Sequence, residues 1–495
     1  MSATDTYPTT TAPNSVGASR TRVIWLLLAA AFVAILNETT MGVAIPHLIT
    51  DLHITAVDAQ WLTTAFMLTM GVVIPVTGFL LRRFTTRQMF IAAMSLFSLG
   101  TAVAVVAPGF PVLLIARVVQ ASGTAIMMPL LMTTIMTLVP AASRGRMMGR
   151  VSLVIALAPA IGPTMSGLLL DTLGWRWIFG IVLPIALVAL FVGARWMVNI
   201  GENTHAPIDV LSVILSALGF GGLVFGLSQI GSGHGGADEA AASTSSPLVM
   251  IVSLTVAVIA LAGLIWRQMI LQRTDNALLD LRVFRSGNFT LAISHMTLLS
   301  AAFFGVITLL PLYMQTVLGI SSLDTGLAVL PGALLMGLAG PVIGRIYDAR
   351  GPRLLLVPGT VLAIGVLWLF STFGDGTSLW LIVIAQTVLS LGLAMSFTPL
   401  MTSAMGSLTP HLYSYGSAIL STIQQVAGAA GVAVLVTTMT AVTAAAEAGG
   451  ASETAAGAQG AQTAFLVATF MAVPLLVSAF FVRKTEAAEG APAGH

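Results

Sequence analysis

Two charged side chains sit where charge is costly. Glu38 is the only acid, and Arg117 the only base, that falls deep within the long apolar runs of this 495-residue chain rather than at their ends. A carboxylate at the centre of a bilayer costs roughly 2.5–3.5 kcal/mol or more. Desolvation favours its neutral form, so such a group takes up a proton and releases it when a cation or water arrives. That is the chemistry a proton-coupled carrier of cationic or amphiphilic compounds requires. Counted from Pro46 and Pro111 as run ends, Glu38 lies eight residues deep and Arg117 six. At the helical rise these depths are about 12 and 9 Å. A direct or water-linked contact between them is within reach. The bland alternatives are a static ion pair, or a carboxylate pinned by hydrogen bonds to Asn37, Thr39 or a neighbouring helix. An unpaired arginine at that depth would lack compensation.

Other polar residues in the apolar runs are softer candidates for a substrate cavity: Asn37, Gln60, Trp61, Gln120, His295, Gln315 and Gln425. Gln120 stands one turn beyond Arg117 and could equally be its polar partner. A lone histidine such as His295 is more often a satisfied buried group. The 24 methionines suit core and lipid contact, and some could line an adaptable pocket. Gly162-Pro163 sits mid-run. Proline deletes a backbone bond and kinks a helix, while small neighbours permit close packing.

The elements that must position these residues are membrane-spanning helices. The chain is 57% hydrophobic and 8% charged, against roughly 25% charged for a soluble domain. Runs of about 20 apolar residues match the thickness of a bilayer. The expected spans are 23–46, 59–81, 89–107, 111–139, 151–170, 177–197, 210–230, 248–266, 289–317, 325–347, 354–373, 378–400, 416–438 and 463–482. The segment Met1 to Arg20 reads as a disordered tail, and the first run as a retained helix rather than a signal peptide. With both termini inside, eighteen of the twenty basic residues fall on the inside, in loops or at the inner ends of spans; Arg176 alone falls outside and Arg117 alone lies deep within a helix. This agrees with the positive-inside rule. It predicts a cell-membrane, multi-pass chain with both termini cytoplasmic. The two long outside loops, 231–247 and 439–462, carry no Lys or Arg. The absence of cysteine excludes disulfides, thiolate metal sites and cysteine nucleophiles. The scattered arginines make nucleic acid an unexpected partner.

An internal repeat sharpens the architecture. Pro46, Asp58, Pro75 and Gly78 recur as Pro311, Asp324, Pro341 and Gly344, at offsets of 265, 266, 266 and 266 residues. Parallel repeats of six-helix halves enclose the substrate site of many carriers. The expected fold is all-α and polytopic, with fourteen helices arranged as six, two and six in two pseudo-symmetric halves. Its divisions are a tail (1–22), an N-terminal half (23–198), a linker with two extra helices (199–288), a C-terminal half (289–482) and a tail (483–495).

The motifs at these helix ends give the chain a family likeness. It resembles the fourteen-helix drug:proton antiporters of the major facilitator superfamily over essentially its whole length, and most of all the lincomycin-resistance exporters. The turn Gly344 to Arg353 matches the superfamily's G-x-x-x-D-x-x-G-x-R loop through Gly344, Asp348, Gly351 and Arg353. In the equivalent turn from Gly78, Arg82 stands where the family has Asp. Arg117-x-x-Gln120-x-x-Gly123, the stretch from Ala158 to Gly167, Trp175 to Phe179, and Leu310 to Gln315 are also similar to the family. So are Asn37-Glu38-Thr39 and the stretch from Phe84 to Gln88. The resemblance implies the major facilitator fold and proton-driven export, with Glu38 as the helix-1 acid and Arg117 assisting proton movement. It implies that Gly162, Pro163 and Gly167 belong to an antiporter motif. It implies that Gly344, Asp348, Arg350 and Arg353 form a gating loop whose first-half counterpart is in doubt. It also leaves Gln424 in a place where the family often has arginine. The expected partners are a small-molecule substrate, protons and the bilayer, with the chain a monomer. No cofactor is expected: the chain lacks a G-x-x-x-x-G-K-[ST] loop, and a proton gradient would supply the energy. Rival readings are export of one metabolite (an amino acid, lipid or siderophore), a channel, or a polytopic membrane enzyme, for which no His/Asp/Glu cluster is evident.

Overall fold

A computed structural model describes residues 14–199, 209–232 and 247–484, and fourteen of its helices are long and apolar enough to cross a membrane. No strand occurs among the described residues. In lipid a spanning segment must satisfy its own backbone, and the helix does so within one segment. The first six are α1 (Asn14–Leu52), α2 (Ala56–Arg83), α3 (Thr86–Val105), α4 (Phe110–Leu138), α5 (Arg144–Thr172) and α6 (Arg176–Trp196). The seventh, α7, runs Val210–Ser216, through a π turn at Ala217–Gly221, into Gly222–Ser232; α8 is Pro247–Leu271. The last six are α9 (Gly287–Thr316), α10 (Ser322–Arg350), α11 (Arg353–Phe370), α12 (Leu379–Gly406), α13 (Tyr413–Ala448) and α14 (Glu453–Ala479).

Each helix overlaps an expected span; most start earlier, while α3, α4, α6, α9, α11 and α14 end one to three residues before the expected end. α1 begins at Asn14, so it reaches into the segment expected to be a tail; residues 1–13 lie outside the described residues. The expected loop 439–462 is instead largely helical, since α13 continues to Ala448 and α14 starts at Glu453. Most of the other expected outside loop, 233–246, lies outside the described residues, as does the tail from 485.

The repeat has a structural counterpart at each of its ends. Thr55 caps α2, with Asp58 N on Thr55 Oγ1 at 3.1 Å; Ser321 caps α10, with Asp324 N on Ser321 Oγ at 3.1 Å. A capping hydroxyl answered by an acid three residues on satisfies orphan donors at a helix start. Pro75 and Pro341 lie inside α2 and α10. Exposed tryptophans gather near both membrane faces: Trp25, Trp196 and Trp266 near the arginine-rich one, Trp177, Trp368 and Trp380 near the other. Such belts mark membrane–water interfaces.

α1 to α6 pack on one another, and so do α9 to α14. α7 and α8 pack together and lean on α2 and α13. The two sets of six meet mainly through α5 against α10 and α2 against α13. Glycines let α5 and α10 come almost into backbone contact. A Cβ on Gly149 would stand 2.1 Å from the Gly340 carbonyl oxygen, and one on Gly344 2.1 Å from that of Gly145. Further along, Gly337 rests on Leu153 and Ala156. Small residues that allow close backbone approach are the usual glue between helices in lipid.

Candidate functional site

The arginine-rich face is closed between the two sets of helices. Asp348, at the end of α10, accepts hydrogen bonds from Gly145 N and Arg146 N, each at 2.8 Å. These are unpaired amides in the first turn of α5, where a carboxylate also meets the positive end of the helix dipole. Arg82, its counterpart in the repeat, cannot cap a helix. It donates from Nη1 to Tyr415 Oη at 3.0 Å and lies 5.2 Å from that ring's centroid. Arg144 donates to Tyr413 Oη at 3.1 Å, Thr133 meets Ser417 at 2.9 Å, and Ser152 meets Thr398 at 2.7 Å. Each of these contacts lies in the half of the span nearer the arginine-rich face. Arg350 and Arg353, expected in the gating loop, are exposed, while Gly344, Asp348 and, in place of the family's acid, Arg82 make contacts across the two sets of helices.

Glu38 lies on the far side of that seam. α1 and α5 touch at its level: a Cβ on Gly162 would meet Thr39 Oγ1 at 2.3 Å, and Ser166 Oγ donates to Thr40 O at 2.9 Å. Gly162 is eighteen residues from Arg144, about 27 Å along α5, whereas the contact at Ala156 is about 18 Å along it. Glu38 is deep in the fold yet keeps partial solvent exposure. Thr39 spends its hydroxyl on the carbonyls of Ile35 and Leu36, and Thr40 on that of Asn37. The expected pinning of the carboxylate by Thr39 is therefore not what the structure has.

Arg117 is 1% exposed and held by two hydrogen bonds and a ring face. Its Nη1 donates to Gln120 Oε1 at 2.7 Å and its Nε to Leu62 O at 3.4 Å, and its guanidinium lies 4.1 Å from the Phe66 ring centroid. Gln120 in turn donates from Nε2 to Thr101 Oγ1 at 2.8 Å. Two glycines make this possible. A Cβ on Gly100 would meet Gln120 N at 2.6 Å, and one on Gly123 the carbonyl of Ala93 at 2.4 Å, so α3 and α4 pack tightly around the network. The described ion pairs are Asp209–Arg267, Asp275–Arg282 and Asp280–Arg282, so Glu38 and Arg117 make no direct pair in this state. Each lies in the other's electrostatic field. The arginine is held by neutral partners.

The remaining cavity candidates disperse. Gln120 is fully buried in the arginine network and is a partner rather than a cavity residue. Trp61 stacks on Phe225 of α7, 5.9 Å between centroids, and so faces the extra pair. His295 is 1% exposed between α9 and α14, with Nδ1 2.7 Å from Ser478 Oγ and Nε2 unpaired. Gln315 is exposed near the end of α9, and Gln425 is half-buried in α13. Asn37 is 1% exposed, and both its polar side-chain atoms lack a partner. The side chains of Gln60 and Pro163 lie outside the described residues, and Gly167 contacts nothing within 4 Å of an added Cβ. No group of three or more His, Cys, Asp or Glu able to hold a metal occurs among the described residues. The sequence reading missed Tyr413 and Tyr415; their signal was an aromatic pair at the start of α13, facing arginines in the other half.

Comparison with known proteins agrees with this geometry. The sequence profile of the Major Facilitator Superfamily matches residues 27–432. The chain is 45% identical to the uncharacterized MFS-type transporter YcnB of Bacillus subtilis, over 83% of this chain and 84% of that protein. It is 40% identical to the lincomycin resistance protein LmrB of Listeria monocytogenes, over 82% and 84%. It is 31% identical to the multidrug resistance protein B homolog of Mycobacterium tuberculosis, over 84% and 75%. The crystal structure of the human organic anion transporter MFSD10 superposes with a TM-score of 0.60 at 14% identity, covering 92% of this chain and 99% of that one. The E. coli fucose:proton symporter FucP superposes at 0.58 and 14%, covering 95% and 100%. Fourteen spanning helices, two glycine-seamed sets of six and matches of this length make the chain a member of the major facilitator superfamily, a multi-pass membrane transporter and not an enzyme.

Proposed function

We propose that the chain is a proton-coupled exporter of drugs, or of amphiphilic and cationic small molecules, working by alternating access. The observation that carries this reading is Glu38. Among the described residues it is the one acid at membrane depth, partly accessible, beyond a seam closed at the arginine-rich face. In the proposed orientation that face is cytoplasmic, both termini lie there, and the membrane is the cell membrane. The state described is then outward-facing: Glu38 takes up a proton from outside as substrate leaves. When the seam opens, the proton leaves inward and substrate enters. A proton and a cationic substrate each neutralise the same carboxylate, so one displaces the other. Competition for Glu38 would thus couple the two fluxes.

The halves are residues 23–198 and 289–482, with 199–288 carrying the extra pair, and the working unit is a monomer without a cofactor. Gly162 supports coupling by holding α1 and α5 together beside Glu38. The names of the relatives favour drug export over a single-metabolite role. The test is growth of an exporter-deficient host across a drug panel, with accumulation measured before and after the proton gradient is collapsed. Broad resistance that vanishes with the gradient is expected. Retention of resistance after collapse would refute proton coupling. Resistance to no drug, with export of one metabolite, would refute the substrate class.

A further inference from the structure

The two extra helices are wired to the closed face through a short strap. The chain after α8 is not a loose connection. Ala277, Leu278, Asp280 and Val283 are each at most 1% exposed, and 3-10 turns form at Gln272–Thr274 and Leu281–Arg285. Gln268 of α8 anchors it. Its Oε1 accepts from Leu278 N at 2.7 Å and Leu279 N at 3.1 Å, while its Nε2 donates to Ser212 Oγ of α7 at 2.8 Å. Ser212 also donates to Asp209, which pairs bidentately with Arg267 at 2.6 and 2.7 Å. At its far side the strap is closed by Arg282 on Asp280 and Asp275.

Between these anchors the strap meets the seam. Tyr415 Oη donates to Ala277 O at 3.0 Å and accepts from Arg82 Nη1 at 3.0 Å. One buried hydroxyl thus joins α13, α2 and the strap, with its donor and an acceptor site both used. Removing it would take the donor from a buried carbonyl and one acceptor from the Arg82 guanidinium, and unmade buried bonds are costly. In the pseudo-symmetric place, Asp348 needs no third partner, because the α5 amides supply its bonds directly.

We propose that Tyr415 is a positioning residue through which α7, α8 and the strap at 272–285 hold the arginine-rich face closed. The extra pair then acts as a brace on one of the two seams, the one where Arg82 replaces an acid. This rests on the alternating-access reading for its consequence in transport, but not for its structural test.

The chain has no cysteine, so two labels can be placed without further change. Ala142→Cys and Ala349→Cys are exposed on opposite sides of the seam. Spin labels there report its opening in the full-length protein in nanodiscs. Tyr415→Phe keeps the ring and removes the hydroxyl, and Gln268→Leu cuts the strap from α8 without touching the seam. Each is expected to raise the open-to-closed ratio about tenfold, as loss of a hydrogen bond to a charged or buried group does. Tyr313→Phe, which removes a hydroxyl bonded to Gly374 O away from the seam, is expected to leave the ratio unchanged. A normal ratio in both Tyr415→Phe and Gln268→Leu overturns the brace. So does an equal shift in Tyr313→Phe. Drug export is scored separately in the same variants: absence of export in the parent would count against the proposed function and leave the distance result standing.

Discussion

Replacing Asp348 with Asn should open the arginine-rich face. The carboxylate accepts two backbone bonds of 2.8 Å from Gly145 and Arg146, at the first turn of α5. Asparagine keeps one acceptor oxygen and turns an amino group toward a second N–H. One charge-assisted bond is lost outright, at about 1.5–3 kcal/mol for hydrogen bonds to charged groups. The dipole contribution lost with the charge adds about 0.3–1 kcal/mol. Arg146 is exposed and Asp348 half-buried, so solvent screening pulls the sum to the low end, about 2 kcal/mol. That is roughly a thirtyfold rise in the open-to-closed ratio, at 1.4 kcal/mol per decade. Pulsed distance measurements between labels at Ala142→Cys and Ala349→Cys read it directly. Asp348→Glu should recover part of the closed population. A closed population unchanged in Asp348→Asn would show that the glycine packing alone holds the seam, and would refute the assigned role of this contact.

Other consequences are equally open to measurement. Gly340→Val places side-chain atoms where even a Cβ stands 2.4 Å from the Gly149 carbonyl; it should shift the same labels to the open distance and abolish transport, whereas Gly365→Ala, in open space, should do neither. Gln120→Leu removes an acceptor of the buried Arg117 and the bond to Thr101, whose hydroxyl keeps Phe97 O; it should destabilise the fold by about 2–3 kcal/mol in thermal unfolding. Gly162→Ala would press on Thr39 at 2.3 Å and should loosen coupling, read as proton leak without substrate. Asp209, held at about 2 by Arg267 and Ser212, gives a pH test of the α7–α8 pair. Its folded value is depressed below the unfolded one of about 3.9. Its contribution, about 1–2 kcal/mol at this rim position, is complete above about pH 5 and lost as pH falls from about 4 to 2. Asp209→Asn should remove that acid sensitivity.

The helices were legible because lipid imposes one rule on every span, and apolar runs bounded by arginines satisfy it visibly. The repeat was legible because Asp58 and Asp324 have the same local task, closing a cap with Thr55 and Ser321. Helix ends were not, since Asn14–Arg22 and the stretch around Ala448 are polar enough to read as coil yet continue helices they adjoin. At the site, Glu38 and Arg117 stood out by charge alone. Their partners did not: which face of α4 holds Arg117 depends on Gly100 and Gly123 bringing α3 close, a contact between residues distant along the chain. Trp61, Gln120 and His295 looked like cavity residues for the same reason. A polar residue in an apolar run signals that it has a partner, not whether that partner is a substrate or a neighbouring helix. Arg82 read as a defect of a motif, and only the placement of Tyr415 and Ala277 gives it a task.

The central claim is that Glu38 carries the proton. Purified protein with Glu38→Gln, reconstituted in proteoliposomes with a pH-sensitive dye inside, tests it most directly. Gln keeps the shape and cannot titrate. The account predicts that adding a transported drug moves protons in the parent and none in Glu38→Gln, while drug binding persists. Drug-induced proton movement of the parent's size in Glu38→Gln would contradict it.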